Sequence, residues 1–98
     1  MDDAIKKIIL KNIDNVLENP KYFEKGYCQN ISKLGIEPTL ETVLSYFSGL
    51  LLGTLIGYNM YRYNRATNEE EIREFHELMK RYTGTLRETF LQTRLEDK

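Results

Sequence analysis

Thr42-Val43-Leu44-Ser45-Tyr46-Phe47-Ser48-Gly49-Leu50-Leu51-Leu52-Gly53-Thr54-Leu55-Ile56-Gly57-Tyr58-Asn59-Met60-Tyr61 carries no charged residue. The stretch predicts one helix over about 39–63, roughly 37 Å long at a rise of about 1.5 Å per residue. Gly49, Gly53 and Gly57 are spaced by four, and Ser45 extends the row. On a helix such a row makes one nearly flat strip where a second backbone can approach closely. Each glycine costs a helix interior about 0.8–1 kcal/mol relative to alanine, so close packing is the expected repayment. The three glycines are therefore read as helix-packing residues.

Two environments suit such a helix. The run has the roughly 20 residues that a bilayer crossing needs. Tyr46 near one end and Tyr58, Tyr61 and Tyr63 near the other resemble an aromatic belt, with Arg62 and Arg65 just beyond. Against a span, Thr42, Ser45, Ser48, Thr54 and Asn59 dilute the run. Steps of three and four through Glu41, Ser45, Ser48, Leu52, Leu55, Asn59 and Arg62 trace a more polar stripe. Leu40, Val43, Phe47, Leu50, Thr54 and Tyr58 trace a more apolar one, a bias that a lipid-facing helix does not need. The buried core helix ranks ahead of the membrane span.

The flanks supply partners for such a core. Before it, Ile5, Ile8, Ile9, Ile13, Val16 and Leu17 recur at helical spacing with charges opposite, predicting a helix over about 3–18. Asn19-Pro20 reads as a cap followed by a first-turn proline. Phe23, Tyr27, Ile31 and Leu34 continue a second helix over about 20–34, which Gly35 ends in a left-handed cap. Pro38 and Thr39 break and restart the chain. After the core, Asn68 caps a fourth helix over about 68–95, with Glu69, Glu70 and Glu71 facing the positive end of its dipole. Ile72, Phe75, Met79, Tyr82 and Leu86 step along it like a coiled-coil seam. The expected fold is all-α: a small four-helix domain around one long central apolar helix, with residues 1–98 forming a single helical domain.

Composition narrows the function. The 98 residues carry a net charge of −1, which removes the strongly basic balance of many nucleic-acid binders. The one cysteine, Cys28, cannot form an internal disulfide, and the acidic opening lacks the basic start and apolar stretch of a signal peptide. The expected location is the cytoplasm.

No motif points to chemistry. His76 stands between acidic residues, but Arg73 occupies the position three before it, where a di-metal bundle needs a glutamate. Cys28 has no adjacent basic cluster to mark a nucleophile. Glu69, Glu70 and Glu71 are better explained by the helix dipole than by acid–base work. No catalytic residue, cofactor or metal site is expected. Ile31-Ser32-Lys33-Leu34-Gly35-Ile36-Glu37-Pro38-Thr39 is similar to the turn of helix-turn-helix DNA binders. It departs at Ile31, where a small residue is usual, and at Glu41. The following helix offers no Arg or Lys before Arg62.

The sequence thus favours a non-enzymatic protein that works by self-association or by binding a partner protein. Tyr58, Tyr61 and Arg62, with Ile72, Phe75, Met79, Tyr82 and Leu86, are the expected interface residues, since aromatic and arginine side chains dominate hot spots. A single-span membrane protein with its glycine helix at about 42–61 ranks second. A small nucleic-acid-binding regulator ranks third.

Overall fold

The computed structural model describes residues 1–96. Four helices follow in order: α1 (Asp3–Glu18), α2 (Pro20–Lys33), α3 (Leu40–Tyr63) and α4 (Glu69–Glu96). The fold is all-α, a compact four-helix domain measuring 46 × 27 × 19 Å. Among the described residues there is no strand.

Local chemistry sets the boundaries. The Asp2 carboxylate accepts from the Ala4 N–H and starts α1. Asn19 does not cap α2 with its side chain; Pro20 in the first turn begins the helix instead. Gly35 takes φ +78°, and the N–H groups of Gly35 and Ile36 donate to the carbonyls of Ser32 and Ile31, closing α2 as expected. The Thr39 hydroxyl accepts from the Thr42 N–H at 3.2 Å and opens α3. Asn64 closes it in the left-handed conformation at φ 52°, which asparagine tolerates better than most residues.

α3 packs against all three other helices. Its buried row is Val43, Phe47, Leu51, Leu55 and Asn59. Ile5, Ile9, Ile13 and Val16 of α1, Ile31 of α2, and Phe75, Leu78, Met79, Leu86 and Phe90 of α4 complete the core. This row differs from the stripe expected from sequence. Val43 and Phe47 are buried as anticipated, yet Leu50 is exposed, while Leu55 and Asn59 of the more polar stripe are fully buried. Strict four-residue steps drift around a 3.6-residue helix, so the contact line winds across both stripes.

The glycine row corrects the sequence reading more sharply. Ser45, Gly49, Gly53, Gly57 and Tyr61 lie two residues out of register with the buried row. Two residues turn a helix by about 200°, so the glycines face the opposite side. A methyl group added at Gly49, Gly53 or Gly57 would meet nothing within 4 Å. Among the described residues no other helix packs against these glycines. Gly53→Ala should therefore raise the stability of the isolated fold by up to about 1 kcal/mol, through helix propensity alone. Thermal unfolding at low protein concentration checks this. A fall in melting temperature would mean that the space at Gly53 is closed.

The seam of α4 is the second correction. Phe75, Met79 and Leu86 are core residues, at most 6% exposed, and Ile72 and Tyr82 are half-buried. An amphipathic face looks the same in sequence whether it meets its own core or a second molecule. Here Phe75, Met79 and Leu86 meet the protein's own core and Tyr82 packs against it, so the expected row does not form an external seam.

Candidate functional site: the outer face of the third helix

The feature that sets this protein apart from an ordinary small helical domain is the outer face of α3. Leu50, Ile56, Met60 and Tyr61 are 44%, 41%, 51% and 93% exposed and flank the glycine row. From Thr42 to Tyr61 no charge interrupts α3. The helix has a mean hydropathy of 1.4 over its most apolar window, of which only 22% is buried. Single exposed apolar residues are ordinary, whereas a contiguous apolar surface usually marks a contact with something else.

A rigid corner holds the C-terminal end of this face. Asn59 is fully buried, and its amide nitrogen donates to Thr67 Oγ1 at 3.0 Å and to Glu71 Oε2 at 3.1 Å. Glu71, 5% exposed, also takes Arg65 at 2.7 Å and the Asn68 N–H at 3.2 Å. Asn68 Oδ1 in turn accepts from the Glu71 N–H at 2.9 Å. Asn68 and Glu71 form a reciprocal capping box. The Arg65 guanidinium, then the Asn68 amide and Asn59, hold the Glu71 carboxyl far down, at about 2, against the opposing effect of burial. The sequence reading gave Glu71 only a dipole role. The three-residue spacing from Asn68 was the available signal for its capping role.

Three further ties brace the helix. Tyr58 and Tyr63 both donate to the Asp2 carboxylate, joining the start of α1 to the end of α3. The Tyr63 hydroxyl is the main reason that carboxyl sits below its ordinary range. At the other end Arg94 pairs with Glu24 at 2.9 Å and donates to the Pro38 carbonyl at 2.8 Å, so α4 holds α2 and the lead-in to α3. Glu41 of α3 pairs with Arg87 of α4.

Of the expected interface residues, Tyr61 stands on the outer face and is almost fully exposed. Arg62 is exposed as well. Tyr58 is half-buried against the core and turned to Asp2. The structure brings the glycine row together with Leu50, Ile56 and Met60 instead, none of which the sequence reading singled out as interface residues. Their signal was available: they are the large residues nearest the glycine row on a helical wheel.

His76 is exposed, and its ring lies 5.8 Å from that of Phe75. Cys28 is half-buried near Glu24 and Arg94, and burial pushes its thiol up from the ordinary range, away from a reactive thiolate. Among the described residues no three His, Cys, Asp or Glu side chains gather as metal ligands would. Compared with protein families, curated proteins and solved structures, the chain matches none.

Proposed function

We propose that this protein is a non-enzymatic cytoplasmic association module that docks through the outer face of α3. The observation that carries the reading is an uncharged helix face bearing Leu50, Ile56, Met60 and Tyr61 in the open, on a helix whose other side is fully occupied by core. Helix packing wants such a face: small residues let backbones close in, and flanking large ones fill the sides.

The test uses native size. In a gentle cell extract the protein should migrate well above its 11.6 kDa monomer mass. Leu50→Lys combined with Ile56→Lys should return it to monomer size while leaving its circular dichroism unchanged, because both side chains already face solvent. Monomer-sized wild type in the extract would sink the docking reading.

A second reading has its own support. α3 is long and apolar enough to cross a membrane. A span would, however, strip the core row from α1, α2 and α4 and place the buried Asn59–Glu71 pair near lipid, where unmet polar groups are costly. Recovery of the protein only from the membrane fraction of the same extract would favour this reading over docking. Nucleic acid ranks third: Arg65 is engaged by Glu71.

A further inference from the structure

We infer that the occupant of the outer face is a second copy of this chain, packed antiparallel across a two-fold axis through Gly53; this rests on the docking reading above. Most of the exposed positions along the uncharged part of α3 are arranged symmetrically about that residue. Gly49 and Gly57 lie four residues before and after it, Leu50 and Ile56 three, and Ser45 and Tyr61 eight, all of them exposed; Met60 has no exposed counterpart, because Tyr46 packs against Tyr27 of α2. Small residues thus form a diagonal groove through Gly53, and one large apolar side chain stands on each side of it. A two-fold dimer requires a patch that complements itself, and this face meets that requirement in sequence and in exposure.

Antiparallel packing is favoured by size. In that arrangement Tyr61 of one copy lies over Ser45 of the other, so the most exposed large side chain meets a small one. Parallel packing would set Tyr61 against Tyr61 at one end and leave Ser45 against Ser45 at the other, wedging the helices apart. Antiparallel helix dipoles also attract rather than repel.

The area is sufficient for a modest dimer. The four exposed side chains and the glycine strip offer on the order of 500 Å² per copy, near the size of the largest patch on a typical monomer. Two copies would bury about 1,000 Å², the lower edge of specific association. The absence of charge on the face means that no ion pair must be desolvated to form the contact.

Cysteine cross-linking of the full chain in a Cys28→Ser background tests the geometry. Gly53→Cys, on the axis, should form a disulfide-linked dimer under mild oxidation. Gly49→Cys and Gly57→Cys should link to each other at least tenfold faster than either links to itself. The open space at all three positions lets the fold accept the new side chains. Should the glycine variants fail to fold, Ser45→Cys mixed with Tyr61→Cys applies the same logic, since both side chains are exposed. Self-linking of Gly49→Cys and Gly57→Cys as fast as cross-linking would overturn the antiparallel arrangement. A purified wild type that sediments as a monomer at hundreds of micromolar, with linking no faster than that of an exposed Lys7→Cys control, would overturn the second copy as occupant. The docking reading is judged separately, by the extract experiment, in which a hetero-complex would survive that result.

Discussion

Phe75→Ala will lower the unfolding free energy by about 3–5 kcal/mol, the usual cost of emptying a buried aromatic site. Phe75 is 1% exposed and belongs to the cluster that includes Leu51 and Leu55 of α3 and Ile5 and Ile9 of α1. Its removal therefore loosens contacts to more than one helix, and partial collapse cannot refill the space cheaply. A domain of this size has a total stability of about 5–15 kcal/mol, so much of the margin goes with one ring. Urea titration followed by circular dichroism reads the loss as a lower midpoint with an unchanged slope. The alternative, that Phe75 belongs to an association seam, predicts a different result. The variant would then keep its midpoint and lose only oligomer mass, and a shift below about 1 kcal/mol would restore that reading.

Glu71→Ala should cost about 2–4 kcal/mol, because it takes a charged acceptor from Arg65, Asn59 and the Asn68 N–H together. Of these, Asn59 suffers most, since it is fully buried and cannot turn to water. Acidity gives a cleaner signature through Glu71→Gln, which keeps the shape and removes the charge. The folded-state carboxyl titrates at about 2, below its ordinary 4.5. A depressed carboxylate stabilises the fold above its unfolded value and loses that contribution as pH falls toward the folded one. The stability gap between wild type and Glu71→Gln should thus be full at pH 6 and shrink steadily between about pH 4.5 and 2. A gap that is independent of pH would mean that the folded-state carboxyl is not held below its ordinary range.

Punctuation in the chain was readable because it is local. Pro20, Gly35, Thr39 and Asn68 each act on their own few residues, and the four helices begin and end within about a residue of where these signals place them. Which side of α3 faces inward was not readable in the same way. Its apolar residues surround the helix, so no single face announces itself, and the winding of the buried row depends on how α1, α2 and α4 cross it. The same degeneracy hid the destination of the α4 seam. The Asn68–Glu71 box was local and legible; its coupling to Asn59 and Arg65 required the turn at Asn64 to fold back, and that is a tertiary fact. The glycine row was noticed for its capacity for close approach, and the helices of this chain leave that capacity unused.

Arg94 has a consequence for how the chain comes into being. It holds Glu24 and the Pro38 carbonyl from the far end of α4, so these partners are synthesised long before their clamp. At about 5–20 residues per second, the stretch from Glu69 to Arg94 takes roughly 1–5 s to make. Until Arg94 has been made, any part of α3 that has left the ribosome lacks its longest neighbour on the core-facing side. Its outer face is apolar as well, so the nascent protein is sticky all the way round for a few seconds. A holdase at the exit tunnel, or a neighbouring chain on the same polysome, would find its opportunity in that interval.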